Sequence, residues 1–178
     1  MLINLDDFSR MLKIERNYSD NTVSAYLSDL KSFNVFLKKN KINFKDVVVE
    51  TKHTKNFFRQ LSKRKLSPRS IKRKFSSLSS YFIFLLDRKI IQSNPLNGVF
   101  TPKIPKALPE ILTIDEINKV FFQSENTDNE LLGLRDRCIL EMLYSSGLRV
   151  SELCNLKVNN IQFDLDLIRF FGKGNKER

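Results

Sequence analysis

Apolar residues recur at three- and four-residue intervals through most of the first half of the chain, the spacing of helices that bury one face. Leu5, Phe8 and Leu12 predict a helix from about Leu5 to Arg16. Val23, Tyr26, Leu27, Leu30, Phe33 and Leu37 mark a second, from near Ser19 to near Asn40. Phe57, Phe58 and Leu61 mark a third between about Thr51 and Lys65. Ser67 followed by Pro68 is a strong helix start, because serine caps free N–H groups and proline fits the first helical position. The fourth helix then buries Ile71, Phe75, Leu78, Phe82 and Leu85. Only Val47–Val49 offers a competing strand pattern. The expectation is a bundled or orthogonal set of four helices.

Glycine and proline divide the chain. No glycine precedes Gly98, and the only proline before Pro95 is Pro68. Pro95, Pro102, Pro105 and Pro109 then crowd together, which predicts an extended linker. The expected division is a helical domain over 1–97, a linker over 98–112 and a second domain over 113–178. In the second domain, Thr113-Ile-Asp-Glu116 is a capping box opening a short helix through about Gln123. After a polar loop at Asn126–Asn129, a longer helix runs from about Glu130 to Ser146, carrying Leu134, Cys138, Leu140, Met142 and Leu143. Gly147 suits a left-handed helix stop. A short helix covers about Val150–Leu156. Ile161–Phe163 and Leu167–Phe171 predict two strands joined at Asp164–Asp166, and Gly172–Asn175 a further turn, after which Lys176–Arg178 would open a third strand.

Charge changes this picture from a scaffold to a polyanion binder. The 178 residues carry 31 Lys+Arg against 20 Asp+Glu, a net charge of +11. Residues 1–106 hold 22 basic and 8 acidic side chains (+14), while 107–178 hold 9 and 12 (−3). A basic half with a 41% hydrophobic chain behind it reads as a folded nucleic-acid-binding domain. The longest apolar runs, such as Tyr81–Leu86, are far short of a membrane span, and Asp6 and Asp7 interrupt any signal-peptide core. Cys138 and Cys154 lack C-x-x-C spacing and are expected to be buried as small hydrophobes, which suits a reducing cytoplasm. A single histidine, His53, argues against a histidine-based metal site.

Several residues could carry phosphate chemistry. Arg69, Lys72 and Arg73 are expected to project from the fourth helix away from its apolar face, with Ser76, Ser77 and Ser80 continuing that outer surface. Long cations beside short hydroxyls let a helix lie close to a nucleic-acid backbone, although a solvated charged face has the same pattern. Asn21 and Thr22 fall in the first turn of the second helix, where free N–H groups favour an anion; they also read simply as helix-start residues. Arg149 follows Gly147 at the entrance to a helix, and its planar fork suits two phosphodiester oxygens. Glu152, three residues on, either orients Arg149 or forms an ordinary surface pair. Lys173, between Gly172 and Gly174, is either a proton donor to a leaving oxygen or an exposed basic turn. No P-loop pattern is present.

Together these segments resemble tyrosine recombinases of the Xer type, within the phage integrase family. Tyr144-Ser-Ser-Gly-Leu-Arg-Val-Ser-Glu-Leu153 is similar to that family's first catalytic-arginine motif, and Gly172-Lys-Gly-Asn-Lys-Glu-Arg178 to its β-hairpin lysine motif. Asn21–Leu30 and Pro68–Phe75 are similar to the second and fourth helices of its core-binding domain. The resemblance implies a mainly α protein: a four-helix SAM-like core-binding domain, then the α+β start of a catalytic domain with a small antiparallel sheet. It also implies a clamp on duplex DNA, with Asn21, Thr22, Arg69, Ser70, Lys72 and Arg73 contacting DNA. Arg149 would bind the scissile phosphate, Glu152 would support it, and Lys173 would protonate the 5′-hydroxyl leaving group.

In such enzymes a tyrosine attacks phosphorus, so no metal or nucleotide is consumed, and homo- or hetero-tetramers exchange strands in pairs. Xer members resolve chromosome dimers together with a septal DNA translocase. The chain departs from the pattern after Lys173: the His-x-x-Arg pair, the further His or Trp and the nucleophilic tyrosine are absent, and Tyr144 reads as core. The expectation is therefore about the first three-fifths of a recombinase, unable to cleave DNA as it stands. The competing expectations are a non-catalytic DNA-binding remnant of an integrase, which a genuine early stop in the gene would favour, and a basic helical scaffold.

Overall fold

The computed structural model describes residues 2–42, 49–104, 108 and 110–170. Seven α-helices and one two-stranded sheet are found among them: α1 (Leu5–Ile14), α2 (Asp20–Lys39), α3 (Thr51–Lys63), α4 (Pro68–Asp87), α5 (Ile114–Glu125), α6 (Glu130–Ser146), α7 (Val150–Cys154), β1 (Ile161–Gln162) and β2 (Leu167–Ile168). Two compact units result, Met1–Ala107 and Leu108–Arg178. No helix among the described residues is long and apolar enough to cross a membrane.

The first unit is a four-helix bundle joined by aromatic rings. Phe33 of α2 meets Phe57 of α3 at 5.0 Å between ring centres and Phe82 of α4 at 6.1 Å. Phe8 of α1 meets Tyr81 and Phe84 of α4, each at 5.4 Å. The predicted stripes are largely buried, with Leu5, Tyr26, Leu27 and Phe75 at the margin. The stripes also run wider than their apolar spacing predicts, taking in Phe36, Tyr81, Phe84, Asp29, Thr54 and Ser77. The Tyr81 hydroxyl donates to the Ile3 carbonyl at 2.7 Å and accepts from the Ile3 N–H at 3.2 Å, which ties the entering chain to α4. Thr54 donates to the Pro95 carbonyl at 2.6 Å, while Leu96 is buried and Val99 packs against the core. The prolines thus begin as part of the first unit.

With no glycine available, the helices of this unit stop on other residues. Asn17, Lys41, Lys65 and Lys89 take φ between 49° and 57°. The next N–H reaches back six positions or five: Tyr18 to Leu12, Ile42 to Leu37, Leu66 to Leu61 and Ile90 to Leu85. This geometry consumes carbonyls that a helix end leaves unpaired. Ile42 and Leu66 also fold back onto the core, the apolar contact that accompanies such stops. These stops shorten α1 and α3 to Ile14 and Lys63, a little inside the expected limits.

In the second unit α5 opens on the expected capping box: Glu116 accepts from the Thr113 N–H at 2.8 Å and Thr113 accepts from the Glu116 N–H at 3.3 Å. Those hydrogen bonds hold the Glu116 carboxyl below its usual range. Gly133 lets α6 come close to the end of α5, since a Cβ there would lie 3.1 Å from the Ser124 carbonyl. Phe121 and Tyr144 join the two helices edge to face, and Arg137 lies over the Phe121 ring while pairing with Glu125 and Glu141. Gly147 adopts φ 62° and its N–H returns to Leu143, as expected of a helix stop. β1 and β2 pair antiparallel, Ile161 with Ile168 and Gln162 with Leu167.

Three expectations are corrected here. The strands are shorter than Ile161–Phe163 and Leu167–Phe171, because Phe163–Leu165 winds into a 3-10 turn and Asp166 turns left-handed. Cys138 and Cys154 are exposed rather than buried. Leu134 and Tyr144 are each 60% exposed: the Phe121 ring of α5 meets Tyr144 edge to face, and the rest of both side chains is left uncovered among the described residues. The turn from Gly172, the Lys176–Arg178 strand, and nearly all of the Val47–Val49 run lie outside the described residues.

Candidate nucleic-acid interface and phosphate-binding arginine

The basic surface of the first unit centres on the start of α4. Ser67 caps that helix, accepting from the Ser70 N–H at 3.2 Å, and its hydroxyl donates to Ser70 Oγ at 2.9 Å. Pro68 begins the helix without needing a donor. Arg69 and Lys72 are exposed, and neither side chain has an ion-pair partner among the described residues. Arg69, Lys72 and Arg73 fall at i, i+3 and i+4, so the helix brings them onto one face.

Arg73 is placed differently from its two neighbours. Its Nη1 lies 2.6 Å from Asp29 Oδ2 on α2, and Lys74 Nζ lies 2.8 Å from Asp29 Oδ1. Ser77, expected on the outer surface, is instead fully buried and donates to Asp29 Oδ2 at 2.9 Å. The physical reason is the carboxylate: buried without donors it would cost several kcal/mol, on the order of what burying an ion demands. Three donors on successive turns of α4 therefore converge on it. Sequence reading missed Asp29 and Lys74. The available signal was an acid on the apolar stripe of α2, between Tyr26 and Phe33, facing a helix with consecutive cations.

At the start of α2, Asn21 is exposed and Thr22 half-buried. The Ser19 hydroxyl accepts from the Thr22 N–H at 3.4 Å and shares a 2.9 Å hydrogen bond with the Thr22 hydroxyl. One of the free N–H groups is therefore capped from within. Asp20 adds a negative charge to the same turn, and the Lys13 ammonium, 2.6 Å away, holds its carboxyl below the usual range. This turn is less open to an anion than the start of α4.

In the second unit, Gly147 releases the chain from α6 and buried Leu148 anchors it, so Arg149 arrives as the N-cap of α7. Glu152 binds it twice: Oε2 accepts from the Arg149 backbone N–H at 2.8 Å, and Oε1 lies 2.7 Å from Nη1. Glu152 has only 10% of its side chain exposed, whereas Arg149 has 60%. The acid is the fixed partner, and the guanidinium is held by one edge with the rest open to a ligand. The two readings of this pair are thus not exclusive. Lys173 lies outside the described residues, so its distance from Arg149 is not part of this geometry.

Comparison with known proteins draws these pieces together. Residues 5–89 match the family described as "Phage integrase, N-terminal SAM-like domain", and residues 110–178 match "Phage integrase family". Among curated proteins, the chain is 40% identical over 173 residues to a tyrosine recombinase XerC of Leptospira interrogans, covering 96% of this chain and 55% of that protein. It is 35% identical over 172 residues to tyrosine recombinase XerC of Bacillus subtilis, again covering 96% of this chain and 55% of that protein. A tyrosine recombinase of Pseudothermotoga lettingae is 40% identical over 178 residues, with 98% and 59% covered. The chain thus spans somewhat more than half the length of these relatives. Among solved structures, a lambda integrase tetramer bound to a Holliday junction superposes with a TM-score of 0.74 at 22% identity, covering 98% of this chain and 46% of that one. XerH bound to a palindromic difH substrate gives 0.69 at 17%, covering 99% and 53%. At these identities the likeness establishes the fold.

Proposed function

The chain belongs to the phage integrase family of tyrosine recombinases, and on that premise we propose that it contributes the DNA-gripping unit and the phosphate-binding arginine of a site-specific recombinase. The observation that carries this reading is the Arg149–Glu152 arrangement. An always-charged fork is fixed along one edge by a nearly buried carboxylate, directly after a glycine stop, in the part of the chain that matches the family's catalytic region. Arg149 would hold non-bridging oxygens of the scissile phosphate and offset the charge that develops on them. Lys173 would donate the proton that lets the 5′-hydroxyl leave. The attacking tyrosine would come from the portion of the relatives that this chain does not span, and the reaction would conserve bond energy as a phosphotyrosine without metal or nucleotide. Tyr144 would not be that group: it lies within α6, ahead of Arg149, with its ring edge to face on Phe121.

In the same proposal the first unit lies along duplex DNA with Arg69, Ser70, Lys72 and Arg73 at the backbone, and Asn21 and Thr22 as secondary contacts. The functional assembly would be a homo- or hetero-tetramer on a recombination site in the cytoplasm, acting in chromosome dimer resolution beside a septal DNA translocase. The two domains would be joined by the proline-rich stretch at 98–112.

The direct test is a salt titration of duplex binding by the 178-residue chain. Each phosphate that a variant no longer neutralises reduces the slope of log K against log salt by about 0.9. Arg69→Ala with Lys72→Ala should therefore flatten the slope by about 1.8, which between 50 and 200 mM salt amounts to roughly a 12-fold smaller loss of affinity. Salt-independent binding, or an unchanged slope in the double variant, would refute the interface.

A further inference from the structure

Asp29 has no exposed side-chain surface, yet it is charged and surrounded by charge. Its carboxylate accepts from Arg73 Nη1 at 2.6 Å, Lys74 Nζ at 2.8 Å and Ser77 Oγ at 2.9 Å. All three donors belong to α4, so one residue of α2 governs two turns of the neighbouring helix. The two cations are not equivalent. Lys74 has only 14% of its side chain exposed and is committed to the pair, whereas Arg73 keeps 49%. One carboxylate between two cations leaves the cluster with a surplus positive charge, carried by the exposed member.

The way Arg73 is held is specific. Nη1 alone makes the described contacts, to Asp29 Oδ2 and, at 3.5 Å, to the Ala25 carbonyl. Nε and Nη2 keep their donors. A long arginine normally loses side-chain entropy when it captures a phosphate. Here that cost is met in the free protein, because the guanidinium is already fixed by one nitrogen. The same logic operates at Arg149 and Glu152, where a shielded acid holds one edge of an exposed fork.

We infer that Asp29 is a positioning residue for nucleic-acid binding: it holds Arg73 by Nη1 so that the rest of the guanidinium is presented to a backbone phosphate beside Arg69 and Lys72. This rests on the reading that the start of α4 faces duplex DNA. It goes beyond that reading by assigning a buried acid, carrying the wrong charge for the ligand, a positive role in affinity.

The charge gives the test its sign. Asp29→Asn raises the net charge by one, so long-range attraction alone would tighten DNA binding. A merely structural role would weaken binding whether or not Arg73 is present. Positioning weakens binding only through Arg73. Anisotropy titrations of a labelled duplex at fixed salt, with the full 178-residue chain, would compare the parent, Asp29→Asn, Arg73→Ala and the double variant. The expected result is a loss of about 3- to 10-fold for each single variant and no further loss on adding Asp29→Asn to Arg73→Ala. Binding by Asp29→Asn as tight as the parent, or an equal loss in both backgrounds, would overturn the inference.

If Arg73→Ala has no effect while Arg69→Ala with Lys72→Ala weakens binding, this inference fails and the interface stands. If neither has an effect, the interface itself fails. Should Asp29→Asn not fold by circular dichroism, Ser77→Ala removes a neutral donor from the same carboxylate. It should cost about 2-fold in the parent and nothing beside Arg73→Ala, and an equal cost in both would refute the positioning role.

Discussion

Replacing Tyr81 with phenylalanine removes one oxygen atom from the centre of the first unit and leaves the ring in place. The ring keeps its edge-to-face contact with Phe8, whose plane is inclined at 80°. What disappears is the pair of hydrogen bonds to Ile3, one donated at 2.7 Å and one accepted at 3.2 Å. Leu2 is buried and Ile3 half-buried, so the orphaned backbone groups regain water only in part. A buried donor or acceptor left unpaired costs about 1–3 kcal/mol. At 4–8 °C per kcal/mol for a domain of this size, the melting temperature should fall by roughly 4–24 °C.

The same substitution should change the response to alkali. Burial raises the Tyr81 hydroxyl above its ordinary value near 10, because the phenolate would be stranded among aromatic rings. The unfolded chain ionises first. The stabilisation held by the neutral hydroxyl is fully present below about pH 10 and is lost as pH rises above it, by at most about 1.4 kcal/mol per pH unit. The stability gap between the parent and Tyr81→Phe should therefore be constant from neutral pH to about pH 9 and shrink beyond pH 10. Calorimetry with far-ultraviolet circular dichroism across that range measures both effects. A melting temperature unchanged by the substitution, or a gap that does not narrow in alkali, would refute the reasoning.

Four further outcomes are expected. Fused to the C-terminal remainder of the Bacillus subtilis relative, the chain should form a covalent adduct with a nicked duplex, whereas the 178 residues alone should form none. Arg149→Ala should reduce that adduct by about 100-fold or more, and an undiminished yield would remove the arginine from the mechanism. Lys89→Gly should raise the melting temperature, because a lysine at φ 57° pays about 1–2 kcal/mol that glycine avoids, less about 0.5–1 kcal/mol of added chain entropy; a lower melting temperature would contradict the assigned helix stop. Limited chymotryptic digestion should cut first at Phe100, which is 91% exposed, and initial cleavage inside α2 or α4 would count against the proposed linker.

The apolar spacing made the four helices of the first unit legible, because a stripe buried at period 3.6 leaves a direct trace in sequence. The Thr113–Glu116 box and the Gly147 stop were equally readable, since each needs a particular side chain at a particular position. The lower edge of legibility was burial in the second unit. Cys138 and Tyr144 lie on a helix whose residues look like core, yet apolar character fixes only what a face prefers to meet. Whether something meets it is decided by other elements, and the edge-to-face contact with Phe121 leaves Tyr144 60% exposed. Gly133 went unread for a related reason. A mid-helix glycine looks like a weakness until the Ser124 and Glu125 carbonyls that need its missing Cβ are in view.

Asp29 and the lysine stops show why polar residues carry information that hydrophobicity hides. The absence of glycine before Gly98 reads as a helical domain, but its helices must still end, and a lysine can take the left-handed stop when its surroundings offset the strain. Each offset here has the same parts. Leu37, Leu61 and Leu85 supply the carbonyl, Lys41, Lys65 and Lys89 make the turn, and Ile42, Leu66 and Ile90 supply the N–H that reaches back. The lysine side chain also leaves its charge at the negative end of each helix. A charged residue is therefore placed at every stop of α2, α3 and α4, where glycine would have been neutral. The net charge of the first unit is in part a consequence of how its helices terminate. Its binding surface, by contrast, depends on the few cations, Arg69, Lys72 and Arg73, that the fold gathers on one face and that Asp29 holds in place.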